Sequence, residues 1–256
     1  MMRVLLVLAL VAIFLISSLQ AETPANPPTT LPARAKVKVF LLIGQSNMAG
    51  RGKVEDEDKV APPRVVTLNK EDKWAPAIDP IHFDKSRAGV GLGRTFGIVI
   101  SEKLTNDTIA LVPAAVGGTT IEQWAKGGTL YENAVRRAKI AQQDGQLAGI
   151  LWHQGESGGK AETYAALAEK LFADLRADLE AKDVPVIVGT LGDFVAGGKT
   201  LNPVLKKLPE TIPNSACADA SGLKDGGDHL HFNAEANREL GKRYAEQWLK
   251  LTGQTK

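Results

Sequence analysis

The chain has 256 residues, a formal net charge of +2 and 44% hydrophobic residues. A charge so small, carried by scattered lysines and arginines, excludes an electrostatic nucleic-acid binder. With one cysteine, Cys217, there is no internal disulfide, so stability must come from packing, and the thiol reads as a small buried hydrophobe rather than a nucleophile.

From the amino terminus, Met1-Met2-Arg3 precedes an apolar run from Val4 to Ile16, then Ser17-Ser18-Leu19-Gln20-Ala21. This is the layout of a signal peptide, 1–21, cleaved after Ala21, and the run is shorter than the ~20 residues a membrane span needs. The mature chain is therefore expected to be exported, periplasmic or extracellular, with no membrane association after cleavage. Residues 22–36 are rich in Pro, Thr and Ala and read as a flexible lead-in. One domain is expected over 37–256, long enough for a substantial core.

Within that domain, short apolar runs alternate with amphipathic stretches. Strands are expected at Val37 to Ile43, Val65 to Leu68, Thr108 to Val112, Ala148 to Trp152 and Val184 to Leu191. Helices are expected at Leu92 to Leu104, Tyr131 to Gln142, Ala161 to Ala181 and Ala234 to Leu251, the last capped by Asn233. Tyr164, Leu167, Leu171, Leu175 and Leu179 recur at helical spacing and mark a core-facing stripe. Glu55 to Pro63 reads as a surface loop. The pattern predicts an α/β protein, a three-layer α/β/α flavodoxin-like sandwich around a parallel sheet of about five strands.

Four polar segments fall where such a sheet puts chemistry, beyond the carboxyl ends of its strands. Gly44-Gln45-Ser46-Asn47-Met48 follows the first strand: Gly44 permits a sharp turn and Ser46 is a nucleophile candidate beside unpaired amides. Pro113 to Thr120 carries the Gly117-Gly118 pair, a turn or a source of an N–H aimed at the serine. Trp152-His153-Gln154-Gly155-Glu156 offers the Gln154 amide as a further donor, with His153 and Glu156 either functional or simply satisfying each other. Asp225 to Asn233 contains two Asp/His pairs, Asp228/His231 and Asp225/His229, either able to supply the imidazole and carboxylate that activate a serine. Trp124 and Trp152 are candidates for stacking on a sugar or for the core, and Arg51 for reaching a substrate carboxylate or for solvation. No metal-ligand set or cofactor fingerprint is present in the sequence.

Gly-Gln-Ser-Asn-Met at 44–48, Gly-Gly-Thr at 117–119, His-Gln-Gly-Glu at 153–156 and Asp-x-x-His at 228–231 together resemble the SGNH/GDSL hydrolase superfamily. The resemblance is to its sialate O-acetylesterase-like and acetyl xylan esterase branch, carbohydrate esterase family six. It implies Ser46 as nucleophile, His231 as general base and Asp228 as its orienting carboxylate. The implied oxyanion hole comprises the N–H groups of Ser46 and Gly117 and the Gln154 amide. Gln45, Asn47, Arg51, His153 and Glu156 are expected to support the site or line its substrate side. Gly158 stands where this branch often carries an Asp. The implied activity is removal of O-acetyl groups from carbohydrates without a cofactor; the alternatives are a lipid esterase or thioesterase, and a non-catalytic carbohydrate-binding protein.

Overall fold

The computed structural model describes residues 31–158 and 160–255; the expected signal peptide and most of the lead-in lie outside them. Arg34–Lys36 of the lead-in forms a 3-10 turn, with Arg34 Nε donating to the Gln142 carbonyl.

Among the described residues, seven strands form one sheet: β1 (Val37–Gly44), β2 (Val65–Leu68), β3 (Trp74–Pro76), β4 (Thr108–Pro113), β5 (Gln146–His153), β6 (Val186–Gly189) and β7 (Ser215–Ala218). Their order is β3-β2-β4-β1-β5-β6-β7, parallel throughout except for β3, which runs antiparallel to β2. The expected sheet of about five strands is thus extended by one short strand at each edge. β3 ends in Pro76, a residue tolerated where no ladder partner follows.

Six α-helices among the described residues cover the sheet: α1 (Ser46–Ala49), α2 (Leu92–Lys103), α3 (Thr129–Asp144), α4 (Ala161–Asp178), α5 (Gly198–Thr211) and α6 (Ala234–Thr252). β1 explains the layering, because its side chains alternate between the two faces. Val37, Val39, Leu41 and Ile43 pack beneath α3, α4 and α5, whereas Phe40 and Leu42 pack beneath α1, α2 and α6. Phe40 meets Phe96 of α2 and Trp248 of α6 edge-on, at ring distances of 4.8 and 5.3 Å. The sequence did not suggest α5, which contains Pro203 and Pro209; its buried Leu201, Leu205 and Leu208 nonetheless fall at helical spacing.

β1 lies at the centre, and the chain places β2 and β4 on one side of it before crossing to β5 on the other. That reversal opens a crevice at the carboxyl ends of β1, β4 and β5, where three of the four polar segments emerge.

Candidate active site

At the end of β1 the backbone of Gly44 takes a φ of +129°, and a Cβ there would sit 2.1 Å from the His153 carbonyl oxygen. Only glycine lets β1 and β5 finish this close together. The Gln45 N–H then bonds the same His153 carbonyl at 2.9 Å and the chain turns into α1. Ser46 is the first residue of that turn, where an amide has no partner within the helix, and it is 4% exposed.

The histidine arrives from the other end of the chain. Asp228 Oδ1 accepts the N–H groups of Leu230 at 3.0 Å and His231 at 2.8 Å, folding the loop back on itself. Its Oδ2 is 2.6 Å from His231 Nδ1, and His231 Nε2 is 3.0 Å from Ser46 Oγ. A carboxylate at Nδ1 fixes the proton there and leaves Nε2 to accept from the serine hydroxyl. Burial pushes the Asp228 carboxyl pKa up, but the His231 N–H, the imidazole and the Leu230 N–H outweigh it and bring it to about 2. Asp225 shapes the loop instead: its Oδ2 accepts the N–H groups of Gly227 and His229, and the exposed His229 ring is 3.5 Å away. Of the two Asp/His pairs, Asp228 and His231 meet the serine.

Asn47 binds this loop to the serine turn. Its Oδ1 accepts the Phe232 N–H at 3.1 Å, and its Nδ2 donates to the Leu230 carbonyl at 3.0 Å and to Glu156 Oε1 at 2.5 Å. The backbone on both sides of His231 is therefore held by one side chain. Burial pushes the Glu156 carboxyl up, but the neighbouring His153 and Asn47 hold it below the usual range. Tyr244 spends its only hydrogen on the Trp152 carbonyl, so His153 must donate from Nδ1 to the Tyr244 oxygen, 3.0 Å away. His153 Nε2 then faces Glu156 Oε1 at 3.4 Å, with no hydrogen bond among the described residues. His153 and Glu156 thus sit behind the site.

The three expected oxyanion donors differ in what they already hold. Both hydrogens of the Gln154 amide are engaged, by Gln45 Oε1 at 3.1 Å and the Thr119 carbonyl at 3.0 Å, while its oxygen accepts from Tyr164. Gln45 Oε1 also accepts the Ser157 N–H. The Gly117 N–H donates to Asp84 Oδ2 at 2.8 Å. The Asp84 side chain is buried and paired end-on with Arg51, whose Nη2 and Nη1 lie 2.7 and 3.3 Å from its oxygens. Burial raises the Asp84 pKa, but Arg51 and the Gly117 N–H hold it below the ordinary carboxylate range.

Arg51 is therefore not solvated. Trp124 and Trp152 are 1% and 0% exposed and pack edge-to-face at 5.5 Å, which makes them core residues rather than sugar platforms. Cys217, half-buried on β7, has its thiol pushed up to about 12 by burial. Asp84 and Tyr244 were not singled out from the sequence, and Tyr164 was read only as part of a core-facing stripe: His82-Phe83-Asp84-Lys85 carries no motif, and the pattern of the helices says only that the tyrosines are buried.

Residues 36–250 match the family model described as carbohydrate esterase, sialic acid-specific acetylesterase. A probable carbohydrate esterase of Arabidopsis thaliana is 34% identical over 237 residues, covering 83% of this chain and 90% of that protein. The crystal structure of that Arabidopsis protein superposes with a TM-score of 0.78 at 30% identity, covering 86% of this chain and 99% of that one. A carbohydrate acetylesterase of Xanthomonas citri shares the fold, with a TM-score of 0.62 at 20% identity, over 84% of this chain and 56% of that one. The chain belongs to the carbohydrate esterase, sialic acid-specific acetylesterase family, and is a carboxylic ester hydrolase.

Proposed function

We propose that this protein is an exported serine esterase that removes O-acetyl groups from carbohydrates through an acyl-enzyme. The observation that carries the reading is the pair of hydrogen bonds linking Ser46 Oγ, His231 and Asp228, 3.0 and 2.6 Å long. His231 Nε2 takes the Ser46 proton as Oγ attacks the acetyl carbonyl carbon. The tetrahedral intermediate collapses, and the sugar oxygen leaves with the proton from Nε2. Water, deprotonated by the same nitrogen, then attacks the acetyl-serine and releases acetate. Asp228 stays ionised and stabilises the imidazolium.

The developing oxyanion leans on the Ser46 N–H and on the Gly117 N–H, for which it competes with Asp84. The Gln154 amide is the third donor, and the oxyanion competes for its hydrogens with Gln45 Oε1 and the Thr119 carbonyl. The glycine-rich segments around the serine leave space without a long apolar lining, which favours a small acyl group over the lipid esterase alternative.

A fluorophosphonate probe should label wild-type protein at Ser46 and leave Ser46→Ala unlabelled. Acetate release should be measured across acetylated xylan, acetylated sialosides and simple acetylated sugars, with p-nitrophenyl esters of increasing chain length alongside. No labelling and no acetate would identify a carbohydrate-binding protein on a hydrolase scaffold; preference for long chains would identify a lipid esterase. Export rests on the sequence of 1–21. The amino terminus of protein recovered outside the cytoplasm should be Glu22, and an intact Met1 would remove this part of the proposal.

A further inference from the structure

A guanidinium carries five N–H donors in one plane. For Arg51, Nη1 gives one hydrogen to the Gly50 carbonyl at 2.7 Å and the other to Asp84 Oδ1 at 3.3 Å, and Nη2 gives one to Asp84 Oδ2 at 2.7 Å. Two donors remain, Nε–H and the second Nη2–H, which lie on the same edge of the plane and point the same way. Nε is buried and has no hydrogen-bond partner among the described residues, and the side chain as a whole is only 5% exposed. A buried donor with nothing to bind calls for an occupant.

Arg51 adjoins the nucleophile through Nη2. Arg51 Nη2 is 2.5 Å from the point a Cβ on Gly117 would occupy, and that point is 3.3 Å from Ser46 Cβ. A side chain at Gly117 would therefore fill the space between guanidinium and serine. Arg51 also borders an open cavity of about 590 Å³ together with Gly226 and Asn233 from the loop that carries His231.

We propose that Arg51 is a substrate-recognition residue whose Nε–H and Nη2–H edge holds two neighbouring oxygens of the sugar beside the acetyl group under attack. The proposal rests on the esterase reading above. Its electrostatics select the oxygens. Asp84 already neutralises Arg51, so a carboxylate at the free edge would put two buried anions on one cation. Neutral hydroxyl or ether oxygens accept from the same edge without that repulsion. The subsite therefore suits a neutral acetylated sugar rather than an acidic one.

Arg51→Lys tests this, because it keeps a positive charge against Asp84 and removes the two-pronged edge. With an acetylated methyl xyloside the variant should show KM raised tenfold or more with a much smaller change in kcat. Its loss on p-nitrophenyl acetate, which has no sugar, should be several-fold smaller. Equal losses on both substrates, or a loss confined to kcat, would make Arg51 only a prop for Asp84 and overturn the proposal. Two measurements on wild-type protein hold whether or not the variant folds. Removing the hydroxyl next to the acetylated position of the xyloside should raise KM by a similar factor. An O-acetylated sialoside should be used at least tenfold less efficiently than the neutral sugar. An unchanged KM, or a preference for the sialoside, defeats the assignment. A wild-type protein that hydrolyses p-nitrophenyl acetate while showing neither effect refutes Arg51 alone; one that hydrolyses nothing and takes no fluorophosphonate refutes the esterase reading beneath it.

Discussion

Ser46 and His231 meet at 3.0 Å but are held there by different means. Ser46 is fixed by backbone: a position against the His153 carbonyl that only glycine fits, a Gln45 N–H on that carbonyl, and a strand paired on both sides. His231 rides on a loop whose Asp228 is half exposed and whose neighbour His229 is mostly exposed, with a φ of +55°. What holds that loop against the sheet is side-chain chemistry, chiefly the three hydrogen bonds of Asn47. Alignment of the hydroxyl should therefore survive most side-chain changes nearby, whereas alignment of the imidazole should depend on one amide.

Single replacements separate these two modes of anchoring. Ser46→Ala should lower kcat on p-nitrophenyl acetate by about 10⁶-fold while leaving the melting temperature near wild type, as expected when the nucleophile alone is lost. Asp228→Asn should cost about 10⁴-fold by leaving the wrong imidazole tautomer. A loss under tenfold would mean that another carboxylate orients His231. Asn47→Ala should lower kcat by about 10²-fold, the scale of a small misplacement of a reacting group, and should slow fluorophosphonate labelling without abolishing it. Full activity would show that Asp228 holds the loop unaided.

Acid stability gives a gentler test. The folded-state pKa of Asp228, about 2, lies below its ordinary value of 3.8, so its contribution to stability is present above pH 4 and is lost as pH falls towards 2. The stability difference between wild type and Asp228→Asn should therefore shrink over that window. Asp79, buried in the segment just after β3, behaves in the opposite sense. Burial raises its pKa to about 7, so the fold prefers its neutral form and stability is lost as pH rises from about 4 to 7. Asp79→Asn should raise the melting temperature at pH 8 and do less at pH 5. Equal effects at both pH values would show that Asp79 is ionised throughout.

The sequence carried the serine turn and the histidine loop because both are local: Gly44 next to Ser46, and Asp228 three residues before His231, are visible as spacing. The five expected strands, β1, β2, β4, β5 and β6, were legible from their branched apolar residues. β7 was not, since Ser215-Ala216-Cys217-Ala218 has none, and α5 was hidden by two prolines that its leucine spacing outweighs. The occupancy of the donors was equally invisible. Asp84 reaches Gly117 across 33 residues, and Gln154 reaches Gln45 across 109, contacts that only the assembled sheet creates. A motif names the donor; the fold decides what it has already given its hydrogen to.

One such prior engagement bears on turnover. The Gly117 amide hydrogen is bonded to a carboxylate belonging to the protein itself. In the proposed reaction the last species to leave the pocket is also a carboxylate, acetate. Asp84 is then a tethered competitor of the product, at an effective concentration that free acetate in solution does not match. Inhibition by added acetate should accordingly be weak, and the pocket should clear itself after each cycle.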